Sequence, residues 1–307
     1  MNTRTGLLDP RHATPHSRLP ESTAVKPTVC TTSLATTSHA AEQARARFAS
    51  TPGGAFLVSD WSRALLVPMQ VDPAALQSML PRGVEMDLRN GGAFLGLSVH
   101  LMTNLRVSTG GRLVHWPGPT TADGAVPAFV SLQACVQHEQ EPAWLALGTW
   151  MVDWVRGRFG PRTFGLPLHV ASMQVRHEHE RSQFHGSISA LDRQSGLQYS
   201  GSLSHPNFAP ANEGSLAAFV FDRHTLLTSE RGLLRRVRMD REPWAVTPVQ
   251  LIWEDDSLLD GALGPLREHM EVTAAYYSLG IPNVQMTRPE CIAGPHCARD
   301  WMAPPAG

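Results

Sequence analysis

The segment AFLGLSVHL (93–101) limits what this chain can become. Ala93, Leu95, Leu97, Val99 and Leu101 recur at every second position, which puts them on one face of an extended strand. The segment follows RNGG (89–92), whose Asn90-Gly91 pair fits a two-residue hairpin turn at positive φ. AFVSLQACVQHE (128–139) and AWLALGTWMVDWV (144–155) form a second pair, joined by a short Glu-Pro turn. In the latter, Trp144, Trp150 and Trp154 fall opposite Leu145, Leu147 and Met151. A strand apolar on both faces is expected to be buried on both. SQFHGSISALD and LQYSGSLSH flank a turn around RQSG (193–196), and LLRRVRMD, WAVTPVQLIW and EVTAAYYSLGIPNVQM follow. The 25 glycines and 24 prolines fall so often that long helices are excluded.

Two short helices are expected. VDPAALQSMLP (71–81) has Asp72 as N-cap, Pro73 in the first turn and Pro81 as its stop. EGSLAAFVFDRHTLL (213–227) is the second. So many strands and so few helices indicate a mainly β chain with a large antiparallel sheet system, a barrel or a sandwich. Residues 1–50 are rich in Ser, Thr, Ala, Pro and His without apolar periodicity and read as a disordered arm. Residues 51–288 read as one domain, and 289–307, broken by prolines, as a C-terminal tail. An apolar content of 42% is enough to fill a core in 51–288.

Charge excludes some partners. The formal net charge is -1, so nothing draws the chain to nucleic acid or to an anionic membrane. No apolar run nears the roughly 20 residues that span a bilayer, and no secretory signal pattern opens the chain. Cys30, Cys135, Cys291 and Cys297 form no CxxC pair and read as free thiols in a reducing, cytoplasmic setting. Cys291 and Cys297, with His296 between, are alternatively half a metal site or a small disulfide loop. A structural zinc site takes four ligands, and no second cluster is at hand.

No phosphate-cradling loop and no nucleophile elbow is present. HEH (177–179) is the best metal candidate, but no third ligand is placed by spacing, so neither metal nor cofactor is expected. Asp153 is an acid in an apolar strand, and burial would raise its pKa or demand an Arg partner. The most informative stretch is GPRTFGLPLHVASM (160–173). It holds Arg162, two Gly-Pro-type breaks and His169 before an apolar run.

The order of LLVPMQVDPAALQSMLPRGVEMDL (65–88), a hairpin strand, and then GPRTFGLPLHVASM resembles the acetoacetate decarboxylase-like superfamily. GSLAAFVFDRHTLLTSERGLLRRVRMDREPWAV (214–246) and YYSLGIPNVQM (276–286) are similar to its uncharacterised YqjF-like branch. The resemblance covers about 56–286 and implies a cone-shaped, mainly antiparallel β-barrel around a small-molecule cavity. In the decarboxylases, two lysines after the proline form the active site, and one makes a Schiff base with a β-keto acid. Here those positions are Leu168 and His169, and the only lysine in the chain is Lys26. The resemblance therefore implies His169 as proton carrier, with Arg162, Leu168 and Arg63 as substrate-binding residues. Arg63 stands near a carboxylate-binding Arg of the decarboxylases. Such a site suits a lyase, hydratase or isomerase on a small keto or hydroxy acid. The alternatives are a non-catalytic binder of an apolar small molecule, or a structural protein with a filled barrel. The expected partner is a small molecule, with a homo-oligomer left open.

Overall fold

The computed structural model describes residues 36–109, 111–115, 128–152, 164–191, 194–204, 206–294 and 297. Arg162, Asp153, Trp154 and His296 fall outside them. In chain order the strands are β1 (Ala55–Val71), β2 (Glu85–Met86), β3 (Ala93–Thr109), β4 (Arg112–His115), β5 (Ala128–His138), β6 (Glu141–Met151), β7 (Leu168–Glu178), β8 (Gln183–Ala190) and β9 (Gly196–Ser202). There follow β10 (Ala209–Pro210), β11 (Thr225–Glu230), β12 (Leu233–Asp240), β13 (Ala245–Pro248), β14 (Gln250–Asp255), β15 (Glu271–Val272), β16 (Tyr276–Thr287) and β17 (Glu290–Ala293). The longer helices are α1 (Thr36–Ala49), α2 (Pro73–Gln77) and α3 (Leu216–Phe221).

Seven strands close into a barrel in the order β1–β3–β5–β6–β11–β12–β16 and back to β1. All pairings are antiparallel except β6 with β11. Closure leaves no open edge among these strands, which removes the unpaired N–H and C=O groups of an open sheet. A second antiparallel sheet, β7–β8–β9–β14, joins the barrel where Thr149 of β6 pairs with Leu168 of β7.

The period of two along β3 divides the core. Leu95, Leu97 and Val99 pack with Phe184, Ile188, Leu197 and Tyr199 of the second sheet. Phe94 faces another cluster inside the barrel, to which all seven barrel strands contribute; Leu105 and Val107 join it beyond a bulge around Asn104 (φ 51°) that reverses the alternation. Strands buried on both faces explain the two apolar faces of β6. The tryptophans of β6 do not share a face, however. The register slips between Leu132 and Gln133, so Gly148 and Ala146 face these neighbours with Leu147 extra. That bulge flips the strand: Trp144 points into the barrel cluster and Trp150 into the other.

The turns follow the sequence with small shifts. Asn90 and Gly91 have φ of 52° and 78°, as a mirror-image hairpin turn requires. The β5–β6 hairpin turns at Glu139 and Gln140, with φ of 53° and 65°, rather than at Glu141-Pro142. Asp72 caps α2 by accepting from the Ala74 N–H at 3.0 Å. The second expected helix ends at Phe221, and Thr225–Leu227 belong to β11 instead.

Regular structure lies within both expected tails. Thr36–Ala49 is helical, not a structureless arm. Ala44 and Phe48, four residues apart, face the barrel and are each 8% exposed. Arg45 pairs with Asp240 and Glu242, and Arg47 with Glu141. Apart from its alanines the helix has one apolar side chain, Phe48, too little for a periodic signal, but one aromatic anchor with ion pairs suffices to dock a helix. At the other end, β17 pairs with β12, and Cys291 is disulfide-bonded to Cys297. Gly294 between them has φ of 136°, so the chain doubles back and brings the Cα atoms to 5.3 Å, within disulfide reach. The free-thiol reading holds for buried Cys135 and fails for this pair.

Candidate ligand cavity in the barrel

The barrel is not filled solid. An internal cavity of about 70 Å³ is lined by residues from every barrel strand, including Trp61 of β1, His100 of β3, Ser131 of β5, Trp144 of β6, Leu226 of β11, Met239 of β12 and Met286 of β16. A water needs about 10–15 Å³, so there is room for a few heavy atoms. No Asp, Glu, Lys or Arg lines it among the described residues.

Polar groups enter through one face of two paired strands. Along β3 the core face is apolar, and the opposite face reads Gly96, Ser98, His100. On β5 the matching face reads Phe129, Ser131, Gln133. Register places Ser98 opposite Ser131 and His100 opposite Phe129. His100 is 2% exposed, with its ring 4.9 Å from Trp61 and 5.2 Å from Phe129. Burial drives its pKa down to about 3, so the imidazole is neutral at physiological pH. Trp244 stacks on Trp61 at 6.0 Å and completes an aromatic wall.

Two further elements shape the cavity. Helix α3 contributes Phe221, and Val220 and Phe221 sit against Gly96, where a Cβ would come within 2.8 Å and 2.9 Å of their side chains. Two buried arginines pin α3 in place. Arg223 donates to the Val136, Ala143 and Phe219 carbonyls and pairs with Asp87 at 2.8 Å. Arg241 donates to the Phe221 and Arg223 carbonyls. The other element is the turn before β7. Gly165 there has φ of 65°, Thr228 Oγ1 donates to the Phe164 carbonyl at 2.6 Å, and the Pro167 carbonyl accepts from the Thr149 N–H at 2.9 Å. The turn thus presents Phe164 and Leu166 to the cavity.

Residues 58–282, about three quarters of the chain, match the family model DUF2071, an uncharacterized conserved protein (COG2071). The chain belongs to this family. The DUF2071 chain is similar in structure to acetoacetate decarboxylase from Legionella pneumophila subsp. pneumophila, with a TM-score of 0.50 and 11% identity over 80% of this chain and 94% of that one. It is also similar to the enduracididine biosynthesis enzyme MppR with HEPES buffer bound, at 0.52 and 14% over 79% and 89%. An acetoacetate decarboxylase-like enzyme from Sphingomonas wittichii RW1 gives 0.50 and 18% over 78% and 96%. At these identities the likeness establishes the fold, which is that of the acetoacetate decarboxylase-like superfamily. No curated protein sequence matches the chain.

Of the residues marked in the sequence of this DUF2071 chain, Arg162 lies outside the described residues, Leu168 and His169 both line one outer pocket, and none of Leu168, His169 and Arg63 lines the barrel cavity. Leu168 is half-buried and packs against the barrel cluster. His169, the next residue on β7, points the other way. It is exposed, stacks on Trp150 at 5.5 Å, and lines a separate outer pocket of about 380 Å³ with Leu191, Ser195 and Leu258. Arg63 is exposed at a bulge of β1 with φ of 53°. Its carbonyl meets Nδ1 of buried His177, whose Nε2 lies 2.8 Å from the Tyr199 hydroxyl. Both ring nitrogens of His177 are therefore engaged within the protein. No group of three or more metal-ligating side chains occurs among the described residues, and no described helix is long and apolar enough to cross a membrane.

The sequence reading missed His100, Trp61 and Trp244. A signal for His100 existed: Gly96, Ser98 and His100 alternate with a fully apolar face, and Ser131 and Gln133 do the same on a neighbouring strand. Two adjacent strands with matched small polar faces mark either a solvated surface or a cavity wall.

Proposed function

We propose that this chain is a small-molecule-binding barrel whose ligand sits in the interior cavity and is mostly apolar. The observation that supports it is the lining: Trp, Phe, Met and Leu side chains surround a neutral His100, without a charged group among the described residues. Such sites combine apolar walls with a few polar groups that orient the ligand. Small carboxylates would lose their hydration there without a cationic partner. A screen read by thermal shift tests the reading, with uncharged apolar metabolites set against small organic acids. A ligand at 100 times its Kd adds about 2.7 kcal/mol of stability. Stabilisation by organic acids alone would contradict the proposal.

A second reading keeps a catalytic role for His169, with Leu168 lining the same outer pocket. The stacking of His169 on Trp150 at the rim of the outer pocket supports it. There His169 would carry a proton to or from a small keto or hydroxy acid. Loss of turnover in His169→Ala, with the interior cavity unoccupied by substrate, would favour this reading over the first.

A further inference from the structure

Nearly all buried polar groups in proteins are hydrogen-bonded, so each exception calls for a cause. Both ring nitrogens of His100 lack a partner among the described residues, and so does Nε1 of Trp244. Both side chains are buried, at 2% and 3% exposure, and both line the barrel cavity. The other two cavity indoles are satisfied. Trp61 Nε1 donates to Ser59 Oγ at 3.1 Å, and Trp144 Nε1 donates to the Val220 carbonyl at 2.7 Å. Gln133 donates to Ser131 Oγ at 2.9 Å. Among the described residues that line the cavity, the buried side-chain atoms without a partner thus sit on two rings that both pack against Trp61.

The chemistry of those atoms selects a ligand. A neutral imidazole offers one N–H donor and one acceptor, and an indole offers a donor only. Two partnerless donors on a wall that is apolar apart from Ser98, Ser131 and Gln133 fit an oxygen that accepts. A carboxylate oxygen accepts as well, but among the described lining residues no cation would balance its buried charge, which is strongly disfavoured. We propose that the cavity takes a short, uncharged carbonyl compound, a ketone or an ester, whose oxygen accepts a hydrogen bond from His100 or Trp244. This inference rests on the interior cavity being the ligand site, as proposed above, and adds the ligand's chemical class.

The test uses the full chain and three six-membered-ring probes: cyclohexanone, methylenecyclohexane, in which a CH2 group replaces the oxygen, and cyclohexanecarboxylate. Binding is read by saturation-transfer NMR and by tryptophan fluorescence. Cyclohexanone is expected to bind about tenfold tighter than methylenecyclohexane, and the carboxylate weakest of the three. His100→Phe is expected to bring the ketone's Kd to within about twofold of the alkene's. If that variant does not fold, Trp244→Phe removes the indole N–H while keeping an aromatic ring in the wall, and is expected to narrow the preference at least threefold. Equal or tighter binding of the alkene would overturn the carbonyl assignment and leave the apolar cavity standing. Tightest binding of the carboxylate, or a ketone preference unmoved in both variants, would also overturn it. Failure of all three probes to bind would remove the interior site itself.

Discussion

The imidazole of His100 lies 4.9 Å from the indole of Trp61, centroid to centroid, and neither of its nitrogens meets a partner among the described residues. An imidazole so placed resists protonation, and two others share the property. Burial lowers His100 and His224 to about 3 and His177 to about 4, from an ordinary value of 6.5.

These three histidines make the fold acid-sensitive. Above pH 6.5 they are neutral whether folded or unfolded and add no pH dependence. As the pH falls from 6.5 toward 4, the unfolded chain takes up protons that the folded chain refuses, so stability drops. Each group is expected to cost on the order of 2 kcal/mol at pH 5. Melting temperatures measured from pH 8 to 4.5 should be level at first and then fall steeply below about 6.5. His177→Phe should shallow the fall. A flat profile down to pH 5 would show that these rings are open to solvent.

Docking of α1 is expected to matter for stability and little for the barrel itself. Phe48 is 8% exposed, and burying such a side chain contributes about 1.5–3 kcal/mol. Phe48→Ala should therefore lower stability by about 2 kcal/mol in chemical denaturation. Arg45→Ala, which removes exposed ion pairs, should change it by less than about 1 kcal/mol. Equal effects of the two substitutions would mean that charge, not the aromatic anchor, holds the helix.

Gly165 is the residue of the β7 turn least able to change. It combines φ of 65° with a neighbour, Arg235, whose guanidinium would lie 2.2 Å from an added Cβ. Gly165→Ala is expected to cost about 2 kcal/mol or more, from left-handed backbone strain and displacement of that side chain. Arg235 lies in the barrel wall beside Thr228, so the cost cannot be relieved by moving into solvent. Denaturation midpoints of the variant and the parent decide this, and an unchanged midpoint would contradict the turn geometry.

Imine chemistry is expected to be absent from the barrel. The sequence resemblance implies Leu168 and His169 at the positions of the decarboxylase lysines, and Lys26 is the only lysine. Borohydride reduction of the full chain with acetoacetate, followed by peptide mass mapping, should find adducts at the N-terminal amine and Lys26 alone. A reduced adduct anywhere in residues 51–288 would contradict it.

The positions of most strands along the chain, the Asn90-Gly91 turn and the Asp72 cap were legible because each depends on local chemistry: side-chain alternation, backbone φ, a single capping oxygen. The sense of each face was less so. Alternation shows that Leu97 and Ser98 point apart, but not that both directions are interior, since a solvated face and a cavity wall carry the same small polar residues. The Leu147 bulge is invisible in one strand alone, because it exists only relative to the register of β5. The α1 helix was missed because its docking rests on Phe48 and on ion pairs to distant residues. The Cys291–Cys297 bond was an alternative to the free-thiol reading, because a spacing of six permits a disulfide without requiring one.

The measurement closest to the central claim is a histidine-resolved NMR titration. Side-chain imidazole resonances of the full chain are followed as cyclohexanone is added, with His100 and His169 assigned through His100→Phe and His169→Ala. Occupation of the barrel predicts that the His100 resonances move and saturate while those of His169, on the outer face beside Trp150, stay in place. Movement of His169 with His100 unmoved would contradict the interior site and transfer the function to the outer pocket.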